Sequence, residues 1–350
     1  MERAIRELRQ SGEEFINMEE ERMETREIRK HFSKLGFMFL LGTLIIYGAS
    51  RLTGWICKDM EVLQNNTNLQ LLVSMIPMYL IGMPAMIWLI KRIPAETIPV
   101  KTMKKSHYAL AVLMCIALLE ISNLVGVLIT SAIGAFKGSQ VDNELLGLLS
   151  GANLGVTFLL TVIFAPVYEE YIFRKLIVDR AVGYGKGLAV MLSGLMFGLF
   201  HGNLNQFVYA TATGMFFAFI YVKTGKLRYS IGLHMVMNLI GGVFGMIILR
   251  MLKYEELLEL VQTGASDGVM MKFMMENLPG WIVYIAYLFI IFGVCITGLV
   301  LFIVFRKRFA LPVEQGDVPK GDRLVTMLGN VGMFCFMIYW IWEIIKQLME

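Results

Sequence analysis

The chain of 350 residues is 57% hydrophobic, only 17% charged and carries a net charge of +4. That balance lies outside the usual range of soluble domains. The surplus of positive charge does not argue for a nucleic-acid partner, because Lys and Arg gather in short segments beside apolar runs, where membrane topology accounts for them.

Residues 1–34 carry charges of both signs, unlike a cleavable signal peptide, and read as a cytoplasmic amphipathic or partly solvated helix. Apolar runs long enough to cross a bilayer follow at 36–56, 70–90, 107–133, 145–166, 187–201, 205–222, 229–249, 281–305 and 326–345. They are continuous rather than alternating, which argues against a barrel. The expectation is an all-α, polytopic transmembrane helix bundle of about eight or nine spans, with an active site in the membrane. Basic segments at 29–34, 91–105 and 306–308 face the cytoplasm under the positive-inside rule, which places the N-terminus there. Cys57, Cys115, Cys295 and Cys335 are far apart and form no CxxC, so neither a disulfide framework nor a zinc knuckle is indicated.

No internal repeat divides the chain into inverted halves. Instead, 1–34 form the charged N-terminal segment, 35–144 the N-terminal membrane helices and 145–249 a core. An exposed, mixed-charge loop at 250–278 and the C-terminal membrane helices at 279–350 complete the chain. Within 35–144, Glu120 lies near Ser122 and Asn123 and reads as a structural residue bonded to one of them. The core holds most polar residues found in apolar context: Glu169, Glu170, Arg174, His201, His234 and Asn238. An ionisable side chain at such depth costs about 2.5–3.5 kcal/mol on insertion scales, so it marks a functional candidate. Taken singly, each fits a structural ion pair or an interhelical hydrogen bond; their joint occurrence points to chemistry.

Spacing relates these residues to one another. The glycine-rich turn at 183–187 separates Glu169 and His201 almost evenly, so an antiparallel helix pair sets both about 24 Å from the turn, at equal depth. A second reversal at 223–228 places His234 about 13 Å and Asn238 about 19 Å along the next helix. Four residues apart, those two share a face. Glu170 and Arg174 stand in the favourable i, i+4 order for an ion pair, whereas Glu169 is turned by about 100°. Arg174 is therefore expected to hold Glu170 as structural support and to leave Glu169 facing a cavity. Gly194/Gly198 and Gly241/Gly245 have the spacing of close helix contacts.

Two versions of peptide-bond hydrolysis suit this set. In one, Glu169 and His201 take a proton from water, and His234 and Asn238 donate hydrogen bonds to the oxyanion. In the other, Glu169, His201 and His234 ligate a zinc ion that activates the water. The absence of HExxH favours the metal-free version, which requires no cofactor.

The ordered motifs Glu169-Glu170…Arg174, Phe197…His201 and His234…Asn238 resemble those of the CPBP intramembrane proteases. That group includes the CAAX prenyl endopeptidases of the Rce1 type and many bacterial proteins linked to bacteriocin handling. Phe164-Ala165-Pro166, Phe173 and Thr224-Gly225 are similar as well, and the likeness covers about 75 residues, 164–238. One departure is Lys175, where many members carry glycine. The resemblance implies an endopeptidase of the bacterial plasma membrane, open to the cytoplasm. Its substrate would be a membrane-associated, prenylated CAAX-type or leader peptide. It also favours the metal-free glutamate mechanism, although the family is widely labelled metalloprotease. A non-proteolytic immunity or chaperone-like protein on the same scaffold is the rival within the family; all motif residues are present, which weighs against it. A transporter with a Glu169–histidine proton relay is a rival outside it, disfavoured by the missing repeats.

Overall fold

The structure, a computed structural model, describes residues 2–138, 152–314 and 316–349. The beginning of the run expected at 145–166, and the boundary drawn at 144–145, lie outside the described residues. Every regular element among the described residues is helical. The principal helices in chain order are α1 Glu2–Cys57, α2 Thr67–Ile90, α3 Lys105–Lys137, α4 Leu154–Tyr184, α5 Lys186–Phe200 and α6 Leu204–Thr224. They are followed by α7 Leu227–Met251, α8 Tyr254–Gln262, α9 Asp267–Glu276, α10 Leu278–Phe305, α11 Arg323–Leu328 and α12 Val331–Met349. Among the described residues eight helices are long and apolar enough to cross a membrane: α1 from Thr25 onward, α2, α3, α4, α6, α7, α10 and α12. The chain is an integral membrane protein. At 15 residues, α5 reaches only about 22 Å, short of a hydrocarbon core about 30 Å thick.

Local chemistry sets the helix ends. Gly185 (φ +132°) sits between α4 and α5, and Gly225 (φ +62°) closes α6, at backbone angles that favour glycine. Asn203 caps α6, its Oδ1 accepting from Gln206 N at 2.8 Å. Segment 250–278, expected as a loop, is mostly exposed and contains the short helices α8 and α9.

Helices α4 to α7 form the centre. The flank of α1, α2 and α12 shares one buried apolar cluster with α4 and α5, in which Phe39 contacts Phe173, Phe200 and Phe336. The other flank, α3 and α10, meets α6 and α7 in a second cluster around Cys115, Phe217 and Leu233. Helices α5 and α6 are an antiparallel hairpin reversed at 201–203, as HGNLN suggests. Their backbones touch: a Cβ at Gly198 would meet the Thr211 hydroxyl and the Phe207 carbonyl, and one at Gly194 would meet Met215. Gly241 and Gly245 differ from expectation. A Cβ on Gly241 would meet only Leu119, at 3.9 Å, and one on Gly245 only a carbonyl of its own helix, so no neighbour needs these glycines. Glu120 also differs: among the described residues it forms no hydrogen bond with Ser122 or Asn123, and the Ser122 hydroxyl donates to the Leu118 and Leu119 carbonyls of its own helix.

A chain of hydrogen bonds shows that the basic segments share one end of the bundle. His31 Nε2 donates to Arg180 O (2.7 Å), and Arg180 Nε donates to Ile90 O (2.8 Å). Glu96 N donates to Asp179 O (2.7 Å) and Lys101 N to Thr224 O (2.8 Å). Lys223 Nζ donates to Ala310 O (3.0 Å).

Candidate functional site

Glu169 and Glu170 lie near the middle of α4. The helix is not regular there: π-helical stretches at Phe158–Phe164 and Tyr171–Val178 flank the pair, and a third, Leu239–Phe244, succeeds Asn238 in α7. A π turn inserts one residue and rotates the rest of the helix, and such turns gather at functional sites.

Glu170 is fully buried and pairs with Arg174, Nη2 to Oε1 2.9 Å, as its spacing predicts. Arg174 is also fully buried, its guanidinium 4.7 Å from the Phe197 ring centroid and 5.3 Å from that of Phe217. Its Nη1 donates to Ser193 Oγ (3.3 Å), which donates onward to the Phe173 carbonyl (2.8 Å). Ser193 is a member of this cluster that spacing does not reveal; its one signal is a lone hydroxyl in the apolar run of α5. Glu169 keeps 14% of its side chain exposed where Glu170 keeps none, so Glu169 is the more open of the two carboxylates. Lys175, the departure from the family pattern, pairs with Asp179 at 2.7 Å and takes no part in the cluster.

His234 joins the two carboxylates. Its Nδ1 lies 3.1 Å from Glu170 Oε1 and its Nε2 3.7 Å from Glu169 Oε2. The ring stacks on Phe217 (5.3 Å, 25°) and meets the edge of Phe197 (5.6 Å, 83°). This bridge is a departure from expectation, since the spacing pairs Glu170 only with Arg174. A charged carboxylate accepts, so Nδ1 carries a proton and Nε2 points toward Glu169.

His201 ends α5. Its backbone N–H turns to Gly198 O (3.2 Å), and its ring Nδ1 donates to the Phe197 carbonyl instead (2.8 Å). A helix C-terminus leaves its last carbonyls without donors, and here the imidazole supplies one. Because a carbonyl only accepts, the neutral ring has its proton on Nδ1 and a lone pair on Nε2. His201 packs on Phe197 (4.8 Å, 89°), the ring that also touches His234, so one phenylalanine separates the two histidines. Among the described residues no hydrogen bond or ion pair joins His201 to Glu169; the expected equal depth is not a direct contact.

Asn238 is fixed by a defect in α4. In its π-helical stretch the Ala165 N–H donates to Leu160 O, five residues back. Thr161 O would next receive the N–H of residue 166, but that residue is Pro166, which has none. The orphaned carbonyl accepts from Asn238 Nδ2 at 2.8 Å. A backbone group in the membrane needs a partner, and here another helix provides it. The second amide hydrogen of Asn238 has no partner among the described residues.

The same geometry bears on a metal ion. Among the described residues no three His, Cys, Asp or Glu side chains form a group that could hold one, and Glu169, His201 and His234 are no exception. As placed, the three side chains do not fit a zinc ion.

A helical membrane bundle that buries a Glu–Glu–Arg–His cluster at mid-depth defines a class of membrane-embedded proteins with ionisable centres. Residues 151–240, which include α4 to α6 and the first half of α7, match the family described as type II CAAX prenyl endopeptidase Rce1-like. That segment is therefore similar to the Rce1-like family, and it contains all three motifs. Two curated proteins are similar. YdiL of Bacillus subtilis (strain 168), described as a candidate membrane peptidase, is 27% identical over 157 residues, 43% of this chain and 62% of YdiL. The membrane-embedded CAAX protease MroQ of Staphylococcus aureus (strain USA300) is 27% identical over 122 residues, 33% of this chain and 49% of MroQ. The chain thus spans about half to three-fifths of the length of these relatives. No solved structure matches it.

Proposed function

We propose that this protein is an intramembrane endopeptidase that hydrolyses a peptide bond with water activated by Glu169. The observation that carries the reading is His234 set between two unlike glutamates, one sealed against Arg174 and one open, inside an Rce1-like segment. Glu169 accepts the proton of the attacking water, and the Nε2 lone pair of His201 is the second acceptor at the site. As the carbonyl oxygen gains charge, His234 Nε2–H and the free amide hydrogen of Asn238 donate to it. Donation from Nε2 requires protons on both ring nitrogens, and the Glu170 carboxylate is the counter-ion for that state. Glu169 then returns its proton to the leaving amine. The substrate class is a membrane-embedded or lipidated peptide: a prenylated CAAX-type C-terminus or a leader peptide. We assign the basic end of the bundle to the cytoplasm of a bacterial plasma membrane.

The test uses purified protein in vesicles with a fluorogenic prenylated CAAX peptide and a leader peptide. Glu169→Gln, an isosteric change, should lower cleavage at least about a hundredfold while the protein stays folded, since general-base contributions are of order 10²–10⁴. Undiminished cleavage in Glu169→Gln removes the mechanism; no cleavage of any peptide by the wild type turns the reading toward a non-proteolytic scaffold. Metal content is measured on the same sample, with activity expected to survive a chelator. One stoichiometric zinc lost together with activity would replace the glutamate mechanism with a metal one.

A further inference from the structure

Away from the glutamates, a cavity of about 260 Å³ opens between α3, α6 and the C-terminal end of α10. Its walls are graded. On α3 they run from His107 through Leu110 to Met114, and on α6 from Lys223 through Ile220 to Phe216. Each series descends seven residues, about 10 Å, from the basic end of the bundle into the apolar zone. Arg308, just past α10, completes the mouth, with Nη1 3.4 Å from His107 Nε2. The cavity is thus cationic at the membrane edge and apolar below it.

Among the described residues these cations have no acidic partners. No carboxylate there forms an ion pair with Lys223 or Arg308, nor with Lys226, Arg306 or Lys307 around them. Lys223 spends one hydrogen on the Ala310 carbonyl, and Lys101 and Lys186 add to the positive field there. A bias of Lys and Arg toward one membrane face explains which side they occupy. It does not explain why two of them and a histidine rim an apolar cavity with no compensating charge. An anionic headgroup above an acyl chain has the complementary gradient, and basic pockets between helices at this depth suit such lipids.

We propose that this cavity binds an anionic phospholipid, its phosphate held by Lys223, Arg308 and His107 and its chain lying against Leu110, Met114 and Phe216. The site is independent of the peptidase reading. It borders the glutamate centre through α6, because Phe216 lines the cavity while its neighbour Phe217 stacks on His234.

The experiment measures thermal stabilisation and native-mass-spectrometry adducts of the full chain in uncharged detergent. It is titrated separately with phosphatidylglycerol, phosphatidylcholine of the same chain length and inorganic phosphate. Phosphatidylglycerol should stabilise the protein and form a one-to-one adduct that the other two do not. Lys223→Gln/Arg308→Gln should weaken this binding about thirtyfold, from two interfacial charges. Lys34→Gln/Lys320→Gln removes the same charge away from the cavity and should leave binding within about threefold. Met114→Trp, which fills the apolar end, should abolish the adduct without removing charge. Equal binding of both lipids, binding of free phosphate as tight as that of the lipid, or equal losses in the two charge pairs would overturn the proposal.

Discussion

At the level of single residues, the centre is a division of labour between adjacent carboxylates. Glu170, Arg174 and Ser193 are sealed, and the cost of stripping water from Glu170 and Arg174 is met by their ion pair together with the bonds to His234 and Ser193. Arg174→Met should therefore destabilise the protein by about 3–5 kcal/mol, because it leaves a buried carboxylate without its counter-ion. Glu170→Gln/Arg174→Met should recover most of that loss in equilibrium unfolding in mixed micelles; a double variant no better than the single would refute the account. Much of this was legible in the sequence, since Glu170 to Arg174 is a helical i, i+4 step. The bond from His234 to Glu170 was not, because it crosses 64 positions and joins two different helices. No spacing rule within a single helix contains that contact.

At the level of elements, Pro166 connects two helices by what it lacks. With no N–H at position 166, Thr161 O turns to Asn238, so α4 fixes a side chain of α7. Asn238→Ala should cost about 0.6–2 kcal/mol, the range for a hydrogen bond between membrane helices. In a Pro166→Ala background a backbone N–H can satisfy Thr161, and the further cost of Asn238→Ala should fall to near zero in a double-mutant cycle. Additive costs would show that the two residues act separately. FAPVYEE displays its proline openly, but its partner depends on which carbonyl the π turn leaves over, and that is fixed only once the backbone exists. The glycine turns were plainer: GYGKG, HGNLN and KTGKLR each mark a reversal the chain makes. Gly194/Gly198 met a neighbouring backbone as their spacing suggests, and Gly241/Gly245 did not, since one spacing serves any helix face.

For the whole molecule, the separate basic segments resolve into one charged end, and the number of crossings decides what lies opposite. Helix α5 enters from that end and α6 returns to it, so the pair leaves the direction of later helices unchanged. Single cysteines placed by Lys104→Cys, Lys226→Cys and Lys307→Cys in a cysteine-free background should react with an impermeant thiol reagent from the same side of intact vesicles. Glu256→Cys and Lys272→Cys should react only after the other side is opened. Reaction of Lys226→Cys together with Glu256→Cys would overturn this topology. Run lengths along the sequence predict eight or nine spans, and the difference lies in 187–222, whose first helix is too short to count as a span by itself. That hairpin also bears on how the protein is made. A segment too short to cross alone, with glycines that only its partner fills, gives an insertion machine no stable halfway product, so α5 and α6 must leave the aqueous channel together. The histidine at their joint then enters the membrane with the pair, ahead of α7, which follows in the chain and carries the histidine that bridges the glutamates.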